Sequence, residues 1–273
     1  VTAPYATVTS WTDRSGSAGY SYGDITTKFG GTSAAAPMVS GIVALMLETN
    51  PTLTWHDLQD ILALSATHVG SGLGHGPVGD ELFSWQMNAA SNWNGGGMHF
   101  SNDYGYGLVD AYQAVRLAET WALGHDSGGE YEVRVDASGW VYDSAHGSAQ
   151  ANFVVAEDLN LFTAVLNLDS PSALTGIAEL ALISPDGTRS VLYGSDGKVL
   201  PTTMTYEWDF LSQAFRGEDA QGTWQMDVRF TSGALDLTGL DANLVLSGDA
   251  ATDNNIYYYT SEFGEFGSNT LSD

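Results

Sequence analysis

The chain has 273 residues, 43% of them hydrophobic and 11% aromatic, which suffices for one large core or two ordinary ones and excludes general disorder. Its 33 acidic residues face 8 basic ones, giving a formal charge of −25 that repels nucleic acid and anionic membranes. Cysteine is absent, so disulfides, a thiol nucleophile and thiolate metal sites are excluded, and no run approaches the ~20 apolar residues of a membrane span.

Residues 1–30 are rich in Ser, Thr, Gly, Tyr and Asp with little periodicity, as expected of loops and a short strand. The start at Val1-Thr2-Ala3-Pro4 has no initiator Met or signal-like segment and reads as a cut inside a longer protein. Gly30-Gly31-Thr32-Ser33-Ala34-Ala35-Ala36-Pro37 then predicts a sharp turn into a helix whose small residues allow close backbone approach. This helix runs roughly from Thr32 to Glu48 and is apolar nearly all round, which predicts burial on every side. Asn50-Pro51 stops it. At such an N-terminus the Ser33 hydroxyl can project into a cleft, while free backbone N–H groups and the helix dipole favour the negative charge of an acyl-transfer oxyanion. The plainer alternative is a turn with a Ser or Thr cap before a buried helix.

Thr54-Trp55-His56-Asp57 opens a second helix, capped by Thr54, with Leu58, Ile61, Leu62 and Ser65 at helical spacing and His56 expected at an exposed position. Residues 68–107 form a long irregular Gly- and Asn-rich stretch, which marks a functional or surface-bound segment. Tyr104-Gly105-Tyr106-Gly107-Leu108-Val109-Asp110-Ala111 enters a third helix, capped by Asp110, with Ala111, Ala114, Val115 and Ala118 on one face. Beyond Leu123–Glu130, small and polar, the hydrophobic period changes from 3.6 to 2. Alternating runs at 131–135, 151–155, 161–168, 177–184, 189–193, 224–230 and 240–246, divided by turns such as Ser184-Pro185-Asp186-Gly187, predict an antiparallel jelly-roll sandwich. The Asp-, Asn- and Tyr-rich tail from Asp249 holds one candidate strand, Ile256–Thr260. It reads either as a plain linker or as a weak likeness to the lead-in before calcium-binding Gly-Asp repeats of exported bacterial proteins.

The Gly30–Pro37 string resembles the nucleophile motif of the subtilisin-like serine proteases, and its Ala-Ala-Ala-Pro form is most similar to the kexin and furin branch. Leu47–Gln59 and Tyr104–Ala111 resemble segments of the same catalytic domain. Leu182–Ser190 and Phe215–Val228 resemble the P, or Homo B, domain that follows it, except that Arg216 stands where a Trp usually precedes Gly-Glu. The resemblance implies an incomplete α/β subtilisin-like catalytic domain over 1–122, a linker over 123–130, an all-β P-domain sandwich over 131–248 and an acidic tail over 249–273. It makes Ser33 the nucleophile and its backbone N–H an oxyanion donor.

In that family the acid, the base and a side-chain Asn donor all precede the nucleophile. No His precedes Ser33; the six histidines, at 56, 68, 75, 99, 125 and 146, all follow it, and Asp13 and Asp24 lack the setting of the family's acid. The chain alone is therefore expected to be nearly inert, its base and acid lying in a missing N-terminal part, while the intact parent is a secreted or cell-surface endopeptidase, bacterial by its tail, acting on protein or peptide substrates. The resemblance also implies that the P domain supports folding and calcium dependence, and that basic substrate residues suit the acidic surface. With 22 Asp against 11 Glu, many beside Gly, Asn or Ser, the composition itself fits either structural Ca2+ or turn chemistry and solubility. Residues 1–120 are expected to expose apolar surface that other elements would cover. A second reading is a non-catalytic adhesion or carbohydrate-binding sandwich joined to a degenerate protease remnant.

Overall fold

The computed structural model describes residues 1–3, 8–11, 25–90, 97–121, 130–143, 146–169, 177–194, 208–230, 240–250, 255–260 and 265–270. Asp13, Asp24 and His125 lie outside them, as does most of the 123–130 linker. Contacts divide the chain into two units, Val1–Val69 with Tyr106–His125, and Gly70–Gly105 with Asp126–Asp273.

The first unit holds an antiparallel pair, β1 (Val8–Trp11) and β2 (Ile25–Phe29), and the helices α1 (Thr32–Thr49), α2 (Trp55–Leu64) and α3 (Ala111–Thr120). Both α1 and α2 pack on α3. Asn50, which ends α1, gives its side-chain amide to the Ala118 and Trp121 carbonyls at 3.1 and 3.3 Å, so the end of one helix caps the end of another. Thr54 and Asp57 form a reciprocal capping box on α2. Asp57 also accepts the Trp121 indole N–H at 2.8 Å. These bonds fix the rotation of α2 and turn His56, Asp57, Asp60 and Ile61 inward. His56 is therefore fully buried, which corrects its expected exposed position.

Asp110 caps α3 by accepting the Gln113 N–H. Ahead of it Gly107, at φ 122, lets Leu108 pair with both Thr2 and Thr67. A side chain at 107 would start 2.5 Å from the Thr67 carbonyl oxygen, so the Gly of this string serves close backbone packing.

The all-round burial expected of α1 is not found: within it only Ala34 and Met46 are buried, and Met38, Leu45 and Leu47 are 40%, 50% and 37% exposed. An apolar pattern states that a helix needs cover, and among the described helices α3 covers one side. By length and composition α1 is also the one described helix able to cross a membrane, although Ser40, Gly41 and Glu48 interrupt its apolar run.

In the second unit a short pair, β3 (Gln86–Met87) and β4 (His99–Phe100), precedes a two-sheet antiparallel sandwich. Its strands are β5 (Glu130–Asp136), β6 (Ser138–Asp143), β7 (Ser148–Val155), β8 (Leu159–Asp169), β9 (Ile177–Ile183), β10 (Arg189–Gly194), β11 (Trp208–Ser212), β12 (Gly222–Phe230) and β13 (Asp241–Ala250). One sheet runs β10-β9-β12-β7-β6 and the other β11-β8-β13-β5. Strict alternation, as in β7 where Ala149, Ala151, Phe153 and Val155 point inward, builds a core centred on Phe153, Leu166, Leu180, Phe215, Trp224 and Leu244. A last hairpin pairs β14 (Asn255–Thr260) with β15 (Glu265–Thr270).

Candidate active site

Ser33 is the second residue of α1, and it is exposed. The turn ahead of it depends on Gly31, whose φ of 79° is a left-handed conformation that other residues resist; there is open space where its side chain would be, so the backbone angle alone requires glycine. The Gly31 carbonyl accepts the Ala34 and Ala35 N–H groups at 2.9 and 3.2 Å, which starts the helix. Gly31 supplies no side-chain cap and the first turn holds no acidic residue, so the electropositive end of α1 is left without a competing carboxylate of its own.

Ser33, at the second helical position, carries one of the N–H groups that the helix itself does not satisfy. Pro37, four residues on, lacks the N–H that would bond the Ser33 carbonyl. Ala34 is buried and anchors the turn, while the neighbouring hydroxyl faces outward. Such a site can present a nucleophile and one oxyanion donor. Among the described residues no hydrogen bond joins Ser33 to a histidine or carboxylate. His146 pairs instead with Asp143 in the sandwich unit, and His99 packs on Trp85.

The second unit contains a buried polar lock that the sequence did not signal. Asn88 gives its amide N–H groups to the Ala214 and Arg216 carbonyls at 3.0 and 2.9 Å and accepts those of Ala90 and Met98 on its oxygen. Next to it the Ala89 N–H reaches Glu218 Oε1 at 3.0 Å. These bonds tie the Gly70–Gly105 segment to the Phe215–Glu218 turn, hence its grouping with the sandwich. Arg216 is 2% exposed, lies 5.6 Å from the Phe162 ring centroid and donates to Gln213, so its buried guanidinium is held by an aromatic face and an amide oxygen.

Glu218 is 1% exposed, and its Oε2 has no partner among the described residues. Burial pushes its carboxyl above the usual range, against the opposing hydrogen bonds of Thr188, Ala89 and Ser184. A group whose folded pKa exceeds its unfolded value stabilises fully below the unfolded value, here 4.5, and loses that contribution as pH rises through the folded one. Urea unfolding across pH is therefore expected to show a downward component above pH 4.5 that Glu218→Gln removes; an identical pH slope in the variant would contradict this role. Glu179 acts in the opposite direction. Burial pushes its carboxyl up, but Arg189 and Arg229 together hold it below the usual range, so its contribution is lost as pH falls.

For calcium the described residues offer no group of three His, Asp or Glu that could hold a metal ion. The nearest oxygen set is smaller. Burial pushes Asp158 up, and the adjacent Asp219 carboxylate adds to the shift, while the Asn160 side-chain oxygen, on the residue bridged to Asp219, is buried without a partner. Two carboxylates and an amide oxygen suit a hard cation whose remaining ligands are carbonyls or water.

Residues 4–107 match the subtilase family, peptidase S8, and residues 162–239 match the proprotein convertase P-domain. The chain thus belongs to the subtilase family, in the branch that joins a peptidase S8 segment to a P domain. It is 30% identical over 223 residues to neuroendocrine convertase 2 of Rattus norvegicus, covering 78% of this chain and 32% of that protein. It is 33% identical over 246 residues to the endoprotease bli-4 of Caenorhabditis elegans, covering 84% and 24%. The crystal structure of a serine protease of Aeromonas sobria superposes with a TM-score of 0.60 at 25% identity, over 82% of this chain and 45% of that one. The chain spans about a third or less of the length of these curated relatives.

Proposed function

We propose that the protein carrying this chain is a serine endopeptidase that cleaves protein or peptide substrates through an acyl-enzyme at Ser33. The observation that carries the reading is Ser33 itself, exposed in the first turn of α1 inside the segment that matches the subtilase family. The Ser33 oxygen attacks the scissile carbonyl carbon, and its proton passes to a base. The carbonyl oxygen, now negative, takes the Ser33 N–H. The leaving amine takes the proton back, and water then releases the acyl group. Base and acid are assigned to residues ahead of Val1, since no His precedes Ser33 and the match covers only 32% of the neuroendocrine convertase 2 relative. The exposed apolar side of α1, at Met38 and Leu45, supports a further segment packing there.

The 273-residue chain is accordingly inert alone, and the intact protein is exported. A fluorophosphonate probe is expected to label the intact protein at Ser33 and leave the 273-residue chain unlabelled; an intact, folded protein without an adduct at Ser33 would count against the whole reading. Calcium enters as a structural ion held by Asp158, Asp219 and the Asn160 oxygen. Millimolar Ca2+ is expected to raise the melting temperature of the chain, and Asp219→Asn to abolish the rise; equal melting curves with Ca2+ and with chelator would dismiss this ion.

A further inference from the structure

The outward face of the four-stranded sheet carries a feature that proteolysis does not use. Register places Asp209 beside Asn167, Asn167 beside Asn243 and Asn243 beside Asp136, one polar row straight across β11, β8, β13 and β5. From the adjacent row Arg134 donates Nε–H to Asn243 Oδ1 at 2.8 Å and Nη2–H to Asn167 Oδ1 at 3.3 Å. Asn167 in turn donates to Asp209. On the other side Asp169 and Asp241 stand opposite each other, and half-buried Trp140 completes an open cavity of about 630 Å³.

From this arrangement we infer that the sandwich binds a short neutral oligosaccharide in this cavity. The volume lies within the range of ligand sites, roughly 300–1,000 Å³. The guanidinium and both amides are held in place by one another before any ligand arrives, which lowers the ordering cost of binding. The side chains of Asp136, Asp169 and Asp241 have no hydrogen-bond partner among the described residues, so their carboxylate oxygens can accept from hydroxyl groups. Trp140 offers an aromatic wall for the apolar face of a sugar ring.

Charge selects among ligands. Four carboxylates against one guanidinium repel acidic glycans and nucleic acid. A basic peptide would be drawn by the carboxylates but would meet the Arg134 guanidinium in the middle of the row and leave the amide oxygens committed elsewhere. A neutral polyol uses acceptors and donors together.

The test is calorimetric titration of the 273-residue chain with short glucose, mannose and galactose oligosaccharides, and in parallel with oligolysine. At least one neutral sugar is expected to bind, insensitively to salt, with about tenfold or greater weakening in Trp140→Ala and in Asp209→Ala, an exposed position whose replacement leaves melting unchanged. Failure of every sugar to bind would overturn the proposal. So would binding that both variants retain, or oligolysine binding that salt abolishes and sugars do not displace. None of these outcomes depends on whether Ser33 is a nucleophile.

Discussion

Ser33→Ala in the intact protein is expected to lower kcat by about 10⁴–10⁶-fold while leaving KM little changed, because losing the nucleophile removes an interaction made in the reaction and not in substrate binding. Local structure supports a clean substitution. Ser33 is exposed, so Ala leaves no cavity, and helix entry rests on Gly31 and on the buried Ala34. The companion change Gly31→Ala should also lower kcat, by a different route: it strains a backbone held at φ 79° and shifts the Ser33 N–H from its position. Peptide hydrolysis under saturating substrate, with circular dichroism to confirm folding, separates the two. A Ser33→Ala protein with undiminished kcat would leave the site without a role.

The largest stability effect is expected at Trp224. Its side chain is fully buried between the sheets, its indole N–H donates to the Ala220 carbonyl at 2.8 Å, and its ring meets Phe215 edge-on at 4.9 Å. Trp224→Ala removes the ring, opens a cavity and strands the Ala220 carbonyl, for a cost of about 3–5 kcal/mol. Trp224→Phe keeps most of the burial and loses mainly the hydrogen bond, about 1 kcal/mol. Urea denaturation followed by far-ultraviolet circular dichroism should show midpoints in the order native, Phe, Ala. Equal costs for the two variants would mean that the hydrogen bond, and not the packing, dominates at this position.

Much of the fold was legible because the signals were local. Thr54 and Asp57 announced the α2 cap, Asp110 announced the α3 cap, and strict alternation around Phe153, Leu166 and Val228 announced β7, β8 and β12. Within the sandwich two strands carry no readable period, for physical reasons. β6 is exposed at nearly every position and has no buried face to impose a period, and β11 is a five-residue edge strand. Burial of α1 was misread because composition records the need for cover and not its source. His56 was misread because side-chain bonds from Asp57 to Trp121, 64 residues away, set the helix rotation.

The nucleophile candidate was legible for a different reason: the Gly-Gly-Thr-Ser-Ala-Ala-Ala-Pro string encodes a turn, a helix start and a proline in one short run. The Asn88–Glu218 lock was not, since Asn88 and Ala89 sit in a stretch without periodicity and their partners in the Ala214–Glu218 turn lie 126 to 129 residues away in sequence. Likewise the polar row on the outer sheet exists only through register. Asp136, Asn167, Asp209 and Asn243 are unremarkable residues in four separate strands until pairing aligns them.

The most direct measurement is rapid-quench hydrolysis of an activated ester by the intact protein, followed by peptide mapping of the quenched enzyme. A burst of about one equivalent of product, with the acyl group mapped to the Ser33 side chain, is the result required here. Steady turnover with no burst and no acylated Ser33, or an acyl group found on another residue, would contradict it.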